Sequence, residues 1–212
     1  MTGLRRQQLL RLSAAGWTRV LDAPWDSGAR SCLGLWAARG LPLVVTRQPP
    51  ACADRVAAGL PAPARYRRRR LALAVDPRDV ASLDEFPAAA AVVRLLPRGL
   101  ATAWDALLAA LAEAGCAPRV YGGFGWQALT RLAYVHAASD LDLLLPVASL
   151  AQADAVARVL ASRAWAGPRL DGELLLADGG AVAWREWHAH REGRAPQVLV
   201  KRLHGVALET PA

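Results

Sequence analysis

The chain has 212 residues and a formal net charge of +8, enough for one or two small domains with a sizeable core. No uncharged apolar stretch reaches the roughly 18–20 residues that span a bilayer, and the N-terminus lacks a secretory h-region. We therefore expect a cytoplasmic protein without a membrane partner. Three widely spaced cysteines, Cys32, Cys52 and Cys116, fit a reducing compartment and argue against a zinc site.

The positive charge is concentrated in the N-terminal part of the chain. Residues 1–80 carry 14 Arg and 5 acidic residues, whereas residues 81–212 carry 12 Lys and Arg and 13 acidic residues. Such a field favours an anionic partner: a polyphosphate, a nucleic acid or an acidic protein. Arg65 and Arg67–Arg70 form a basic cluster, which either binds such a partner or is a solvated edge that discourages pairing between sheets.

Taken in order, the first eighty residues predict an N-terminal α+β subdomain. Its predicted elements are a helix over residues 3–15, a strand over Leu41–Thr46, a loop-rich segment over residues 47–70 and a strand over Leu71–Val75. Pro77 and the stretch Pro87–Pro97 are predicted to connect this subdomain, residues 1–80, to a second domain, residues 81–212.

The second domain is predicted to contain helices and a mixed sheet, so the whole chain belongs to the α/β (α+β) class. Its predicted elements are a helix over Arg98–Gly115, a strand–helix–strand stretch over Arg119–Pro146, a helix capped by Ser149, a strand over Leu170–Leu176, a hairpin partner over Ala181–Trp187 and a last strand over Gln197–Leu203.

The stretch Arg119–Pro146 carries the strongest chemical pattern. Asp140 and Asp142 stand two apart at the start of its second strand, so both side chains point to one face, about 7 Å apart. Two carboxylates in this arrangement can converge on a hard cation such as Mg²⁺. Gly122, Gly123 and Gly125 precede a helix and let backbone N–H groups approach phosphate. We place these glycines and Ser139 among the substrate-binding residues.

This pattern resembles the nucleotidyltransferase superfamily of the DNA polymerase beta type. The matching residues are Tyr121-Gly122-Gly123, a helix starting near Gly125, and Asp140-Leu141-Asp142. The sixteen residues between Gly123 and Asp140 slightly exceed the usual gap. The resemblance implies a polymerase-beta-like catalytic domain with Mg²⁺ held by Asp140 and Asp142.

A dinucleotide-binding fingerprint is the competing interpretation, because Gly123, Gly125 and Ala128 fit G-x-G-x-x-G/A. In a Rossmann unit the acidic residue ends the second strand. Here two acidic residues precede the apolar run, which favours the metal–carboxylate interpretation.

The superfamily usually takes a third carboxylate from a neighbouring strand. Asp171 and Glu173 are candidates, and we favour Glu173 as ligand or general base because it enters the apolar run Leu174–Leu176. Arg185 and Lys201, predicted on the next strands, are candidates for neutralising phosphate charge.

Five segments together resemble one family, the phosphoribosyl-dephospho-coenzyme A transferases, or malonate decarboxylase holo-[acyl-carrier-protein] synthases. They are Tyr121–Leu129, Ala138–Leu144, Arg169–Glu173, Asp178–Trp187 and Val198–Lys201. The resemblance implies that the donor is 2′-(5″-triphosphoribosyl)-3′-dephospho-CoA, that the acceptor is a serine of the apo acyl-carrier subunit of malonate decarboxylase, and that pyrophosphate leaves.

Two other functions stay open from the residues alone. A nucleotidyltransferase using ATP on a small molecule or protein hydroxyl would share every catalytic residue. A non-enzymatic, basic nucleic-acid-binding module would show salt-sensitive binding that survives loss of both aspartates. The family resemblance makes a nucleic-acid partner the weaker expectation.

Overall fold

A computed structural model describes residues 3–50 and 54–211. The chain divides into two compact units. The N-terminal unit comprises the residues up to Phe86 together with Leu132–Tyr134 and Leu203–Gly205, and the C-terminal unit comprises the rest. Among the described residues, no helix combines the length and the apolar character that a membrane crossing requires.

The N-terminal unit contains an antiparallel five-stranded sheet in the order β4-β3-β2-β1-β5. The strands are β1 (Leu9–Leu12), β2 (Leu43–Val45), β3 (Val56–Pro61), β4 (Arg70–Val75) and β5 (Val80–Asp84). The helices are α1 (Ala14–Asp22) and α2 (Ser27–Ala38), and the 3₁₀ turns are Ala64–Tyr66 and Pro77–Asp79. The side chains of Ser13 and Asp26 cap the two helices by accepting hydrogen bonds from Gly16 N and Ala29 N.

The predicted helix over residues 3–15 is wrong. Leu9 and Leu10 are fully buried in β1, which pairs with both β2 and β5, so tertiary pairing overrides the helical tendency of this Leu-rich segment. The predicted loop over residues 47–70 contains β3, whose residues alternate between buried and half-buried. The residues after Pro77 form β5 rather than part of a connection. Helices α1 and α2 had no counterpart in the prediction.

Part of the basic cluster makes contacts within this unit. Arg69 donates two hydrogen bonds to Asp26, at 2.7 and 2.6 Å, and this contact pulls the pKa of Asp26 well below its usual range. Asp26 is the N-cap of α2, so Arg69 ties that helix to the residue before β4. Arg70 begins β4, which is an edge strand, so the solvated-edge interpretation fits this residue.

The C-terminal unit is built on a six-stranded sheet in the order β11-β10-β9-β8-β7-β6. Its strands are β6 (Arg119–Val120), β7 (Leu141–Pro146), β8 (Leu170–Leu175), β9 (Ala181–Ala183), β10 (Val198–Lys201) and β11 (Val206–Glu209). Its helices are α3 (Ala101–Glu113), α4 (Gly122–Thr130), α5 (Leu150–Ser162) and α6 (Trp184–Arg191), preceded by a 3₁₀ segment over Ala89–Leu95. Strands β7 and β8 are parallel and the other pairs are antiparallel. The predicted α+β class and the mixed sheet are therefore confirmed.

One face of this sheet carries the core. Leu141, Leu143 and Leu145 of β7 are fully buried and belong to one apolar cluster with side chains of α3, α5 and α6. Residues at alternate positions therefore face the other side of the sheet. The predicted strand over Ala181–Trp187 is wrong beyond Ala183, because Trp184 and Trp187 are buried at the i, i+3 spacing of helix α6. Strand β11 was not predicted.

The cysteines behave as packing residues. Cys32 and Cys116 are buried free thiols, and burial raises the pKa of each to about 11. A thiol with such a pKa is a poor nucleophile at neutral pH. Cys52 lies outside the described residues.

Candidate active site

The parallel register of β7 and β8 brings the predicted carboxylates together. Asp142 is the partner of Asp171, and Leu144 is the partner of Glu173. Partners in register share a face, so Asp142, Asp171 and Glu173 all lie opposite the apolar core. Asp140 immediately precedes β7 and stands two residues before Asp142. The four predicted carboxylates thus lie near the beginnings of two neighbouring strands, β7 and β8.

Asp142 has the most perturbed environment of the four. Burial, followed by the negative charges of Asp171, Asp140 and Glu173, raises the pKa of Asp142 to about 7. The three neighbouring charges all act in the same direction. These four side chains, here called the carboxylate centre, repel one another. A bound cation or a proton would relieve that repulsion.

Gly122 is where helix α4 meets this centre. Its φ is +57°, and a Cβ added there would lie 2.8 Å from Asp142 Cγ and would overlap the carboxylate oxygen. The backbone is locked in place, because Tyr121 N donates to the carbonyl of Asp142 at 3.0 Å. Only glycine adopts this φ readily and also leaves room for the Asp142 carboxylate so close to its α-carbon. The helix therefore starts at Gly122, earlier than the predicted start near Gly125, with its N-terminus against Asp142.

The other predicted phosphate-binding residues differ in what they can offer. Gly123 is in the first turn of α4, where N–H groups have no partner within the helix. Ser139 lies beside it, with Oγ 3.9 Å from the position of an added Gly123 Cβ, and this Oγ accepts a hydrogen bond from His136 N. Gly125 is buried and its N–H donates to Tyr121 O. That N–H is used by the helix, so a phosphate-binding role for Gly125 has no support.

Sequence reasoning missed the importance of Gly172, the residue between the two acidic residues of β8. Its φ is +149°, and an added Cβ would overlap the carbonyl oxygen of Leu143 and lie 2.9 Å from its carbonyl carbon. Gly172 is the register partner of Leu143. The missing side chain therefore allows β8 to approach β7 closely where Asp142 faces Asp171. The triplet Asp171-Gly172-Glu173 is the only signal in the sequence for this approach.

Glu173 is the most buried of the four carboxylates, at 5% exposure. Its Oε1 accepts a hydrogen bond from Lys201 Nζ at 2.8 Å. Lys201 pairs with Ala181, and Glu173 pairs with Ala183 of the same strand, so both charged groups share one face of the sheet. The pair places the ammonium group of Lys201 beside the other carboxylates. Lys201 thereby binds Glu173, the residue that the sequence favoured as the base.

Arg185 lies on α6 and not on a strand as predicted. Its Nη2 donates to Leu170 O at 2.9 Å, and its guanidinium stacks over the ring of Trp184 at 4.3 Å. It lines a cleft of about 620 Å³ next to the start of β8. The structure thus groups Asp140, Asp142, Asp171, Glu173 and Lys201, and it places Arg185 in the neighbouring cleft.

The donor set fits Mg²⁺ only in part. In the ranges 3–50 and 54–211, no three His, Cys, Asp or Glu side chains are already arranged as metal ligands. Mg²⁺, however, is usually held by one or two carboxylates together with substrate phosphates and waters. Asp140 and Asp142 supply such hard oxygen donors, and mutual repulsion at Asp142 favours a bound cation. These residues therefore fit a Mg²⁺ shared with a phosphate-bearing substrate.

The dinucleotide-binding alternative is wrong. Strand β6, helix α4 and strand β7 follow one another, but β6 and β7 pair antiparallel. A Rossmann unit requires the two strands to be parallel.

Comparison with known proteins places the chain in a class of enzymes. The family model "Phosphoribosyl-dephospho-CoA transferase MdcG C-terminal domain" matches residues 82–212, and the model "Phosphoribosyl-dephospho-CoA transferase MdcG N-terminal domain" matches residues 5–86. The chain is therefore a transferase, which contradicts the non-enzymatic nucleic-acid-binding alternative. More specifically, it belongs to the phosphoribosyl-dephospho-CoA transferase family, which confirms the resemblance found in the sequence.

Several curated relatives carry the name phosphoribosyl-dephospho-CoA transferase. One from Bradyrhizobium diazoefficiens is 40% identical over 204 residues, which cover 96% of this chain and 88% of the relative. One from Xanthomonas campestris pv. campestris is 41% identical, covering 91% of this chain and 90% of the relative. One from Pseudomonas aeruginosa is 37% identical, with 84% and 81% coverage. No solved structure matches the chain.

Proposed function

We propose that this chain transfers the phosphoribosyl-dephospho-CoA group from 2′-(5″-triphosphoribosyl)-3′-dephospho-CoA to a serine of the apo acyl-carrier subunit of malonate decarboxylase. The serine oxygen forms a bond to the α-phosphorus of the donor. The bond from that phosphorus to the oxygen bridging to the β-phosphate breaks, and pyrophosphate leaves. The observation that carries this proposal is the register pairing of Asp142 with Asp171 against the N-terminus of α4.

The glycine turn supports binding of the donor triphosphate. The N–H groups in the first turn of α4 and the dipole of that helix favour an anion at this place. Because Gly122 has no side chain, the carboxylate of Asp142 lies against the start of this helix. A phosphate bound at the helix N-terminus would therefore lie next to the carboxylates.

Asp140 and Asp142 are the proposed Mg²⁺ ligands. Bound Mg²⁺ would neutralise negative charge on the phosphates and on the departing pyrophosphate. This role explains why carboxylates that repel one another are held on one face, since without a cation the pairing costs free energy.

Asp171 is the better candidate for the base that accepts the serine proton. It is half-buried and in register with Asp142, whereas Glu173 is buried and bound to Lys201. A general base must reach the proton that it removes, which favours the more accessible carboxylate. We therefore assign the base to Asp171 in place of Glu173 and assign the Glu173–Lys201 pair to positioning a positive charge near the phosphates.

The test is attachment of the prosthetic group to the purified apo carrier subunit, followed by intact-mass spectrometry with Mg²⁺ present. We expect a mass increase of one phosphoribosyl-dephospho-CoA unit and release of pyrophosphate in equal amount. A parallel reaction with ATP as sole donor distinguishes the nucleotidyltransferase alternative. Modification from ATP alone, without modification from the triphosphoribosyl donor, would overturn the proposal.

A further inference from the structure

The cleft beside the start of β8 is lined by several basic side chains. Its volume of about 620 Å³ lies in the range of small-molecule sites. Four arginines line it, Arg163, Arg169, Arg185 and Arg194, together with His188. None of the described residues that line it is acidic. A concave surface with this composition favours an anionic ligand.

Only part of the positive charge is neutralised by the protein. Glu192 binds Arg194 through Nε at 2.8 Å and lies 3.2 Å from His188 Nε2, and Asp171 lies 3.5 Å from Arg169. For Arg163 and Arg185, the described residues provide no carboxylate ion-pair partner. The guanidinium of Arg163, and the N–H groups of Arg185 other than the one that donates to Leu170 O, can thus bind phosphate oxygens.

The cleft also offers aromatic surface. Trp165 and Trp184 line it, and the guanidinium of Arg185 is held over Trp184 by stacking and by its hydrogen bond to Leu170 O. Arg185 is therefore fixed in orientation before a ligand arrives. Trp184 is only 3% exposed and lies beneath Arg185, so Trp165 is the ring on which a nucleotide base could stack, while the arginines donate hydrogen bonds to its phosphates.

The cleft and the carboxylate centre are adjacent. Arg169 lines the cleft, and its Nη2 lies 3.5 Å from Oδ2 of Asp171, the register partner of Asp142. Leu170, between them in sequence, also lines the cleft. One extended ligand with two separate phosphate groups can therefore occupy both places.

We propose that the arginine cleft binds the adenosine diphosphate portion of the donor, that is, the diphosphate ester between adenosine and pantetheine, while the triphosphate lies at the carboxylate centre. This inference rests on the proposed function for the identity of the donor. The cleft supplies affinity for the donor and takes no part in bond breaking. Its residues should therefore affect donor KM more than kcat.

The experiment uses Arg163→Gln, with Arg158→Gln as the matched control. Arg158 lies on α5, five residues earlier, and does not line the cleft; its Nε donates to Asp154 O. We expect Arg163→Gln to raise donor KM about tenfold with little change in kcat. Arg158→Gln should leave donor KM unchanged. Equal donor KM values in the two variants would overturn the proposal, and a rise confined to carrier KM would assign the cleft to the carrier protein instead.

A binding measurement separates failure of the cleft from failure of the proposed function. Dephospho-CoA, which contains the adenosine diphosphate portion, is titrated calorimetrically into the protein without Mg²⁺ or carrier. Wild type and Arg158→Gln should bind it alike, and Arg163→Gln should bind it about tenfold more weakly. This result would support the cleft even if no transfer activity is found. Identical affinities for all three proteins, or no binding by wild type, would overturn the cleft even if transfer is found.

Discussion

Asp142 of β7 lies directly opposite Asp171 of β8, in register across the parallel strand pair of the C-terminal unit. Like charges placed opposite each other on a sheet destabilise it. Burial is the largest cause of the rise in the pKa of Asp142 to about 7, and the negative charge of Asp171 is the next. A cation bound beside the two carboxylates would relieve this repulsion.

Removing either proposed metal ligand should stop transfer. Asp140→Asn and Asp142→Asn keep the shape of the side chain and remove one charged oxygen donor. We expect each to lower the rate of prosthetic-group attachment by at least about 10²-fold, a loss of about 2.7 kcal/mol in transition-state stabilisation. Intact-mass spectrometry of the carrier measures the rate, and circular dichroism checks the fold. A variant that keeps more than about a tenth of the wild-type rate would refute the ligand assignment.

The pH dependence of the stability of the metal-free protein should reveal the raised pKa of Asp142. Folding raises the pKa of Asp142 from 3.8 to about 7, so folding favours the protonated form. The contribution of Asp142 to stability is therefore fully present below about pH 4 and is lost as the pH rises through about 7. We expect the urea midpoint of Asp142→Asn to exceed that of wild type at pH 8, because asparagine carries no charge.

The comparison with the asparagine variant isolates this one group. Other carboxylates, such as Asp26 bound to Arg69, have lowered pKa values and lose stability on acidification in both proteins. Their contributions cancel in the difference between the two urea midpoints. Mg²⁺ should stabilise wild type more at pH 8 than at pH 5.5 and should have less effect on the variant. A difference that is independent of pH would contradict the raised pKa.

The choice between Asp171 and Glu173 as base can be settled by measuring rate and stability together. Asp171→Asn should lower single-turnover kcat by at least about 10²-fold with little loss of stability, since Asp171 is half-buried. Glu173→Gln leaves Lys201 without its charged partner on a half-buried face, so we expect a measurable loss in urea unfolding and a smaller loss in kcat. A larger kcat loss for Glu173→Gln in a stable protein would restore the original assignment of the base to Glu173.

Much of the C-terminal unit could be predicted because its information is local. Asp140 and Asp142 at period two before an apolar run specify a strand with one acidic face, and Ser149 caps a helix as expected. The pairing of Glu173 with Lys201 could not be predicted, because it depends on the order β10-β9-β8 of the sheet. The grouping of arginines around the cleft could not be predicted either, because Arg163 and Arg169 come from the connection between α5 and β8, whereas Arg185 and Arg194 lie on α6 and just after it.

The N-terminal unit was harder to predict because its pairing is non-local. Strand β1 is a Leu-rich tetrapeptide whose partners, β2 and β5, lie far along the chain, so the local pattern favoured a helix. The basic cluster before β4 left two interpretations open, a binding site and a solvated edge, and neither predicts that Arg69 pairs with Asp26, 43 residues earlier. In both places long-range contacts decide the structure.

Two glycines of the centre provide a test in which geometry predicts different outcomes. Gly122→Ala places a methyl group against the carboxylate of Asp142 at a φ of +57°. The carboxylate is the end of a side chain and can turn away, so we expect a moderate loss of stability, about 1–2 kcal/mol, and a large loss of activity, at least about 10²-fold. Gly172→Ala places its methyl group against the backbone of Leu143, which cannot turn.

Gly172→Ala should therefore separate β8 from β7 and lower the free energy of unfolding by at least about 2 kcal/mol, with activity lost because Asp171 moves away from Asp142. Gly34→Ala is the matched control. Gly34 lies within α2, and an added Cβ would meet nothing within 4 Å, so alanine should raise stability by about 0.5–1 kcal/mol through helix propensity and leave activity unchanged. Urea unfolding and transfer rates of the three variants measure both effects. If Gly122→Ala retained near-normal activity, the contact between α4 and Asp142 would have no part in the reaction. If Gly172→Ala were as stable as wild type, the close approach of β8 to β7 would not depend on this glycine.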